Sequence, residues 1–281
     1  MRKKRMFIIL LAACTACVLS FVYPFIFSVR PSITFFPEGG SVHYQTAATG
    51  LELIPEAAAI NWTVESAVDH RAYLMQDFSL LYKNNRLIAM INHWARNETG
   101  LRQEKRLQAS PGFYQGLSIH EAEVHSGNHI YGKAELSQDQ LFVGRSRTHF
   151  VSFKTAAAKR EKELSARYKN QIALARAELL RRAADKYGFN PAVYRIFPLS
   201  ELTPASVGTL FPFSPDKARR ITVQLWEGIY KTFLQGFETS PGRFEPAAGS
   251  SMPLLLIAGD HLLIVIETSR GDIVLLKQVF N

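Results

Sequence analysis

The chain has 281 residues, 47% hydrophobic and 20% charged, with 13 prolines and 17 glycines, the composition of a folded protein rather than a disordered one. Its two cysteines, Cys14 and Cys17, both lie in an apolar opening, which excludes a catalytic cysteine, a cysteine zinc site or a disulfide from the remainder. The formal charge of +9 is concentrated in residues 2–5, all basic, and in residues 154–187, with 10 Lys/Arg against 4 Asp/Glu; no basic stripe interleaved with base-stacking aromatics marks a nucleic-acid partner.

In chain order, a basic stub at 1–5 precedes 24 residues without a charge, 6–29. At about 1.5 Å per residue a helix of that length exceeds the roughly 30 Å hydrocarbon core, so the segment is expected to be a single transmembrane anchor. Lys and Arg favour the cytoplasmic side, which puts the N-terminus in and the bulk of the chain outside, in a bacterial cell envelope. Two processing routes compete with retention. Leu11-Ala12-Ala13-Cys14 resembles the lipobox of bacterial lipoproteins, which would make Cys14 a lipidation site, but only residues 6–13 then precede the cut and an apolar tract follows it. Simple cleavage lacks a clear A-x-A site after the apolar run. All three routes place the bulk of the chain extracytoplasmically. The C-x-x-C spacing of Cys14 and Cys17 belongs to redox chemistry only beside a βαβ pattern, which a lipid-buried helix is not.

Residues 30–72 read as a loosely structured entry segment. From 73 to 153 the pattern is strand-rich: two apolar runs flank Asn84-Asn85, a pair that tolerates positive φ and suits a hairpin turn, and a second hairpin turns at Ser126-Gly127-Asn128. Residues 155–237 are helical. A long helix is expected from Thr155 to Tyr187, with Leu164, Tyr168, Ile172, Ala175 and Leu179 as its apolar stripe and Gly188 as its cap. A second starts at Ser214-Pro215, with Ile221, Leu225, Ile229 and Phe233 on one side. A C-terminal β meander over 252–280 is too continuously apolar for a sheet wet on one face, so helices are expected to cover it. The fold class is α+β: an exported domain at 73–281 of antiparallel sheet and hairpins with two amphipathic helices, behind one N-terminal transmembrane helix.

The densest chemical cluster is His120-Glu121-Ala122-Glu123-Val124-His125 with His129 behind it. Its histidines are five apart in a strand setting, so the helical H-E-x-x-H of zinc proteases is not met. A three-residue loop would make His125 and His129 cross-strand neighbours with Glu123 on the same face, a set able to hold zinc with one position open for water. Ser214-Pro215-Asp216-Lys217 fits S-x-x-K, but the companion motifs of that chemistry are absent and Ser214 is expected to be a helix cap. Arg270-Gly271-Asp272 is expected to be a turn. No P-loop, G-x-G-x-x-G or G-x-S-x-G occurs. Arg160, Arg167, Arg181, Arg182 and Lys186 on the long helix form a candidate surface for anionic headgroups or envelope polymers. The expectation is a membrane-anchored envelope protein that binds or regulates a partner rather than catalysing. The alternatives are a metal-dependent hydrolase using Glu123, His125 and His129 with zinc, and an assembly scaffold working through the long helix at Leu164 and Tyr168.

Overall fold

The computed structural model describes Gly39, residues 42–146 and residues 149–280, all within one compact unit, Thr34–Asn281. Residues 6–29, the expected anchor with Cys14, lie outside the described residues. Among the described residues no helix is long and apolar enough to cross a membrane. The chain is mostly antiparallel sheet with a few helices, 53% strand and 26% helix.

The first sheet contains β1 (Tyr44–Ile54), β2 (Ala59–Lys83), β3 (Arg86–Gln108), β4 (Gly112–Ser126), β5 (His129–Ser146) and β6 (His149–Phe153). The stretch expected to be a loose entry segment therefore supplies β1 and much of β2. The short Ala, Thr and Gly side chains of β1 conceal its pattern, whereas Ile60, Trp62, Val64, Ser66 and Val68 show the strict alternation of a half-buried strand. Asn84 and Asn85 turn from β2 into β3 with φ of 48° and 70°, the paired left-handed conformation that a two-residue hairpin demands.

One irregularity in β2 decides what the sheet encloses. The register with β3 slips between Ala67 and Ala72, which reverses the phase of alternation. Even-numbered Ile60 to Val68 and odd-numbered Met75 to Leu81 consequently face the same interior. β1 pairs with the first half of β2 and β4 with the second, while β3 follows the opposite edge through both, and the sheet curls into a half-barrel. β1 swings toward β5, where side chains take the place of a ladder: the Leu51 amide donates to Asp139 Oδ2 at 2.7 Å, and Lys154 Nζ reaches the same oxygen at 2.6 Å. Two apolar clusters fill the interior, one around Leu51, Ile60, Trp62, Leu81, Tyr114 and Leu141, the other around Val68, Met75, Leu101 and Ala122.

Beyond the first sheet come α1 (Lys159–Tyr187), β7 (Arg195–Pro198), the short α2 (Val207–Leu210), α3 (Pro215–Gln235), and a small hairpin of β8 (Phe237–Ser240) with β9 (Arg243–Glu245). The meander β10 (Leu254–Ile257), β11 (His261–Glu267) and β12 (Ile273–Val279) adds β7 at one edge to make a four-stranded antiparallel sheet. α1 begins at Lys159 rather than Thr155, because the Glu161 carboxylate accepts from the amides of Ala157 and Ala158 at 2.8 and 3.0 Å and closes the helix there. It ends at Gly188, φ 69°, as its sequence predicts. The Ser214 hydroxyl caps α3 by accepting from the Lys217 amide at 3.4 Å, and Ile221, Leu225, Ile229 and Phe233 are all buried.

The second sheet is covered on both faces, as its apolar strands require. Leu179 and Ala183 of α1 pack on Leu254, Leu256, Leu263 and Val265, while on the opposite face Gln278 Nε2 donates to the Ile221 carbonyl of α3 at 3.2 Å. Both helices also reach the outer face of the half-barrel. Tyr168 and Ile172 of α1 pack on Phe113 and Phe142, and Trp226 and Tyr230 of α3 set their ring edges against Phe78. The two sheets meet through backbone: Leu87 N–H to Ser250 O, Gly249 N–H to Leu87 O and Met252 N–H to Asn85 O, at 2.8, 2.8 and 3.0 Å.

Candidate functional site

The histidine hairpin does not assemble as the zinc reading requires. The turn between β4 and β5 contains two residues, Gly127 and Asn128, so Ser126 pairs with His129 and His125 with Ile130. Directly paired residues share a face, and the shorter loop puts His129 on the face opposite His125 and Glu123. The Glu123 carboxylate bonds the His125 ring instead, which stacks on Tyr73 at 3.8 Å, while His129 lies against Tyr131. Among the described residues no three His, Cys, Asp or Glu side chains are placed to hold a metal ion.

The five candidate surface residues of α1, Arg160, Arg167, Arg181, Arg182 and Lys186, separate into two groups. At its C-terminal end Arg181 is paired along the helix with Glu178 and Asp185, Arg182 donates to Glu267 Oε1 at 2.5 Å and to the Gly271 carbonyl at 2.7 Å, and Lys186 donates to the Ile273 carbonyl at 2.9 Å. Arg182 and Lys186 fasten α1 to the turn that carries Arg270-Gly271-Asp272, whereas the pairs of Arg181 stay within the helix. At the N-terminal end Arg160 and Arg167, with Arg145 of β5, line a groove of about 730 Å3 between α1 and β6. Pro111, Val151, Phe153, Leu164 and Tyr168 form its apolar part, and Glu161 and Glu163 also line it, the former engaged at the helix start. Leu164 and Tyr168 also pack within the cluster of Phe113, Phe142 and Phe153 of this chain.

The half-barrel interior holds a second constellation. Between the two apolar clusters runs a layer of polar side chains contributed by β1, β2, β4 and β5. Asp77 Oδ1 is 2.5 Å from Ser66 Oγ and 3.0 Å from His120 Nδ1, and Ser66 Oγ is 2.8 Å from the same nitrogen. His120 Nε2 lies 2.7 Å from Ser137 Oγ; from there hydroxyls continue through Thr49 at 2.6 Å, Ser118 at 2.5 Å and Ser79 at 2.6 Å, and Ser79 reaches the Leu117 carbonyl at 3.2 Å. Asp77 and His120 are wholly buried, whereas Ser137 and Thr49 are half-buried at the seam between β5 and β1.

Proton accounting gives this chain two consistent states. With His120 neutral and protonated at Nδ1 toward Asp77, Ser137 donates to Nε2, and Thr49, Ser118 and Ser79 each donate one step toward Ser137. With His120 doubly protonated, Nε2–H donates to Ser137 and every hydroxyl reverses, ending on the Leu117 carbonyl. Asp77 Oδ2 and the Tyr44 hydroxyl are buried without a hydrogen-bond partner in the same interior, and Tyr44 sets its ring edge toward His120 at 6.4 Å. Burial, reinforced by the charges of Asp77, Glu121 and Glu135, pushes the Tyr44 phenol well above its ordinary range.

Reading the sequence locally finds none of these partners except His120, because Ser66 and Asp77 meet only through the slip in β2, and Ser137 reaches His120 only through the β4–β5 register. The available signal is polar residues at alternate positions of otherwise apolar strands, Asp77 and Ser79 in one and Ser118 and His120 in another. No known protein family, no curated protein and no solved structure shows a significant match to this chain.

Proposed function

We propose that this is a membrane-anchored binding protein of the bacterial envelope, held through residues 6–29 with its bulk extracytoplasmic, and that it docks anionic lipid headgroups in the groove between α1 and β6. The observation that carries the reading is a groove lined by three arginines, Arg145, Arg160 and Arg167, together with the apolar Val151, Phe153 and Leu164. Planar guanidinium groups match phosphate oxygens, and the apolar surface suits the first carbons of an acyl or glycerol chain. A basic side chain contributes about 1 kcal/mol at an anionic membrane surface, which makes a cluster of three consequential.

Native mass spectrometry of the full chain in neutral detergent tests the docking. Titrated phosphatidylglycerol is expected to bind in preference to phosphatidylcholine, and Arg145→Glu, Arg160→Glu and Arg167→Glu together are expected to weaken it at least tenfold. Equal uptake of both lipids, or uptake unchanged by the three reversals, would remove the groove as the site.

A further inference from the structure

We propose that Ser137 is a nucleophile activated by His120 and Asp77, able to take an acyl group from a small ester or thioester presented at the seam between β1 and β5. The proposal does not depend on lipid docking in the α1 groove and concerns the opposite face of the sheet.

Three observations carry it. The first is connectivity: hydroxyl to imidazole at 2.7 Å and imidazole to carboxylate at 3.0 Å, with the two ring nitrogens used in the order that general-base activation needs. Asp77 and His120 are wholly buried and Ser66 bonds both, so the ring orientation is set by its surroundings. The second is exposure. Ser137 sits where the half-barrel closes without a ladder, leaving it half-buried, like Thr49 beside it, while Asp77 and His120 are sealed inside. The third is energetic. Replacing a buried ionisable pair with packed apolar side chains is often neutral or stabilising, and this layer lies between two apolar clusters that such residues would simply join. An unpartnered carboxylate oxygen on Asp77 is a further cost that barrel closure does not require.

Acyl transfer needs no oxidant or reductant, and release of the acyl group consumes only water. Ser137 Oγ attacks the carbonyl carbon as its proton passes to His120 Nε2. The tetrahedral oxyanion then collapses, the bond to the alkoxide or thiolate breaks, and the leaving group takes the proton from Nε2. Acyl-Ser137 remains, and water activated by the same nitrogen releases the acid. Leu51 already directs its amide out of the β1 edge to Asp139, and by strand alternation the Thr49 amide points from that same edge, the direction from which an oxyanion would be met.

The full chain in neutral detergent, treated with a fluorophosphonate probe and mapped by peptide mass spectrometry, provides the test. In that reaction the Ser137 Oγ–P bond forms and fluoride leaves. An adduct confined to Ser137 and abolished by prior unfolding in guanidinium is expected. Labelling should vanish in Ser137→Ala and fall at least tenfold in His120→Gln and Asp77→Asn variants whose circular dichroism matches the parent. Absence of an adduct on the native chain overturns the proposal, as does labelling spread over exposed serines that survives unfolding; neither result requires any variant to fold.

Discussion

Glu121 shows how one side chain can make the whole fold sensitive to pH. It points from β4 away from the half-barrel interior toward α3, opposite Gln76 in the β2 register, and one of its oxygens is buried without a partner. Burial pushes its carboxyl up to about 9, with the neighbouring charges of Glu123 and Glu227 adding to the shift. A carboxyl raised in the folded state retains its proton while the unfolded chain has lost it. The stability it permits is therefore fully present below the ordinary carboxylate range and is lost as pH rises from there to about 9, at up to about 1.4 kcal/mol per pH unit. Glu121→Gln reproduces the neutral form at every pH. Thermal melts of that variant should match the parent near pH 5 and exceed it by several degrees at pH 8; parallel pH profiles for the two proteins would show that Glu121 is ionised in the fold.

At the scale of the element, α1 is the part that both sheets share. Its expected apolar stripe is present at Tyr168, Ile172 and Leu179, but Ala175 is exposed and the inward position between them belongs to Arg176, whose Nε donates to Asn85 Oδ1 at 3.1 Å. Helical periodicity alone selects the alanine; only the hairpin end at Asn84-Asn85, docked beneath the helix, explains an inward arginine. Burial holds the Arg176 guanidinium below its usual range. Nearby, the Glu267 carboxylate at the end of β11 accepts from Arg182 of α1 and from Arg86 at the start of β3, joining helix, meander and half-barrel at one side chain. Hydrogen bonds to charged groups contribute about 1.5–3 kcal/mol, and partial exposure of both arginines places this pair toward the lower end. Glu267→Ala should cost about 1–3 kcal/mol in urea unfolding, a loss that shrinks as salt is added. A variant as stable as the parent at low salt would show the junction to be ornamental.

At the scale of the whole molecule, the turns, helix ends and covered meander are readable because each depends on a few adjacent residues: Asn84-Asn85, Ser214-Pro215, Gly188 and the apolar runs near the C-terminus. The curl of the first sheet is not, since it follows from a slip at residues 67–72 that alternation counts only as noise. The same slip aligns Ser66 with Asp77, so the polar layer is not legible in local alternation, whereas the histidine hairpin is compact in sequence but one residue out of the register that would gather its side chains. Whether the half-barrel and the helix-covered sheet fold together depends on the backbone bonds at residues 85–87 and 249–252, on Glu267, and on α1 and α3 spanning both. Two buried tryptophans report on different places, Trp62 in the half-barrel interior and Trp226 on α3 where that helix meets Phe78, while Trp94 is exposed. With Trp94→Phe as background, single-tryptophan variants retaining either Trp62 or Trp226 should lose native fluorescence at coincident denaturant midpoints after correction for each variant's own stability. The half-barrel buries its own apolar clusters, but its outer Phe78, Phe113 and Phe142 need α3 and α1 to cover them, so separation would expose aromatic surface on both halves at once. Midpoints that separate would show the half-barrel to be stable without its helices.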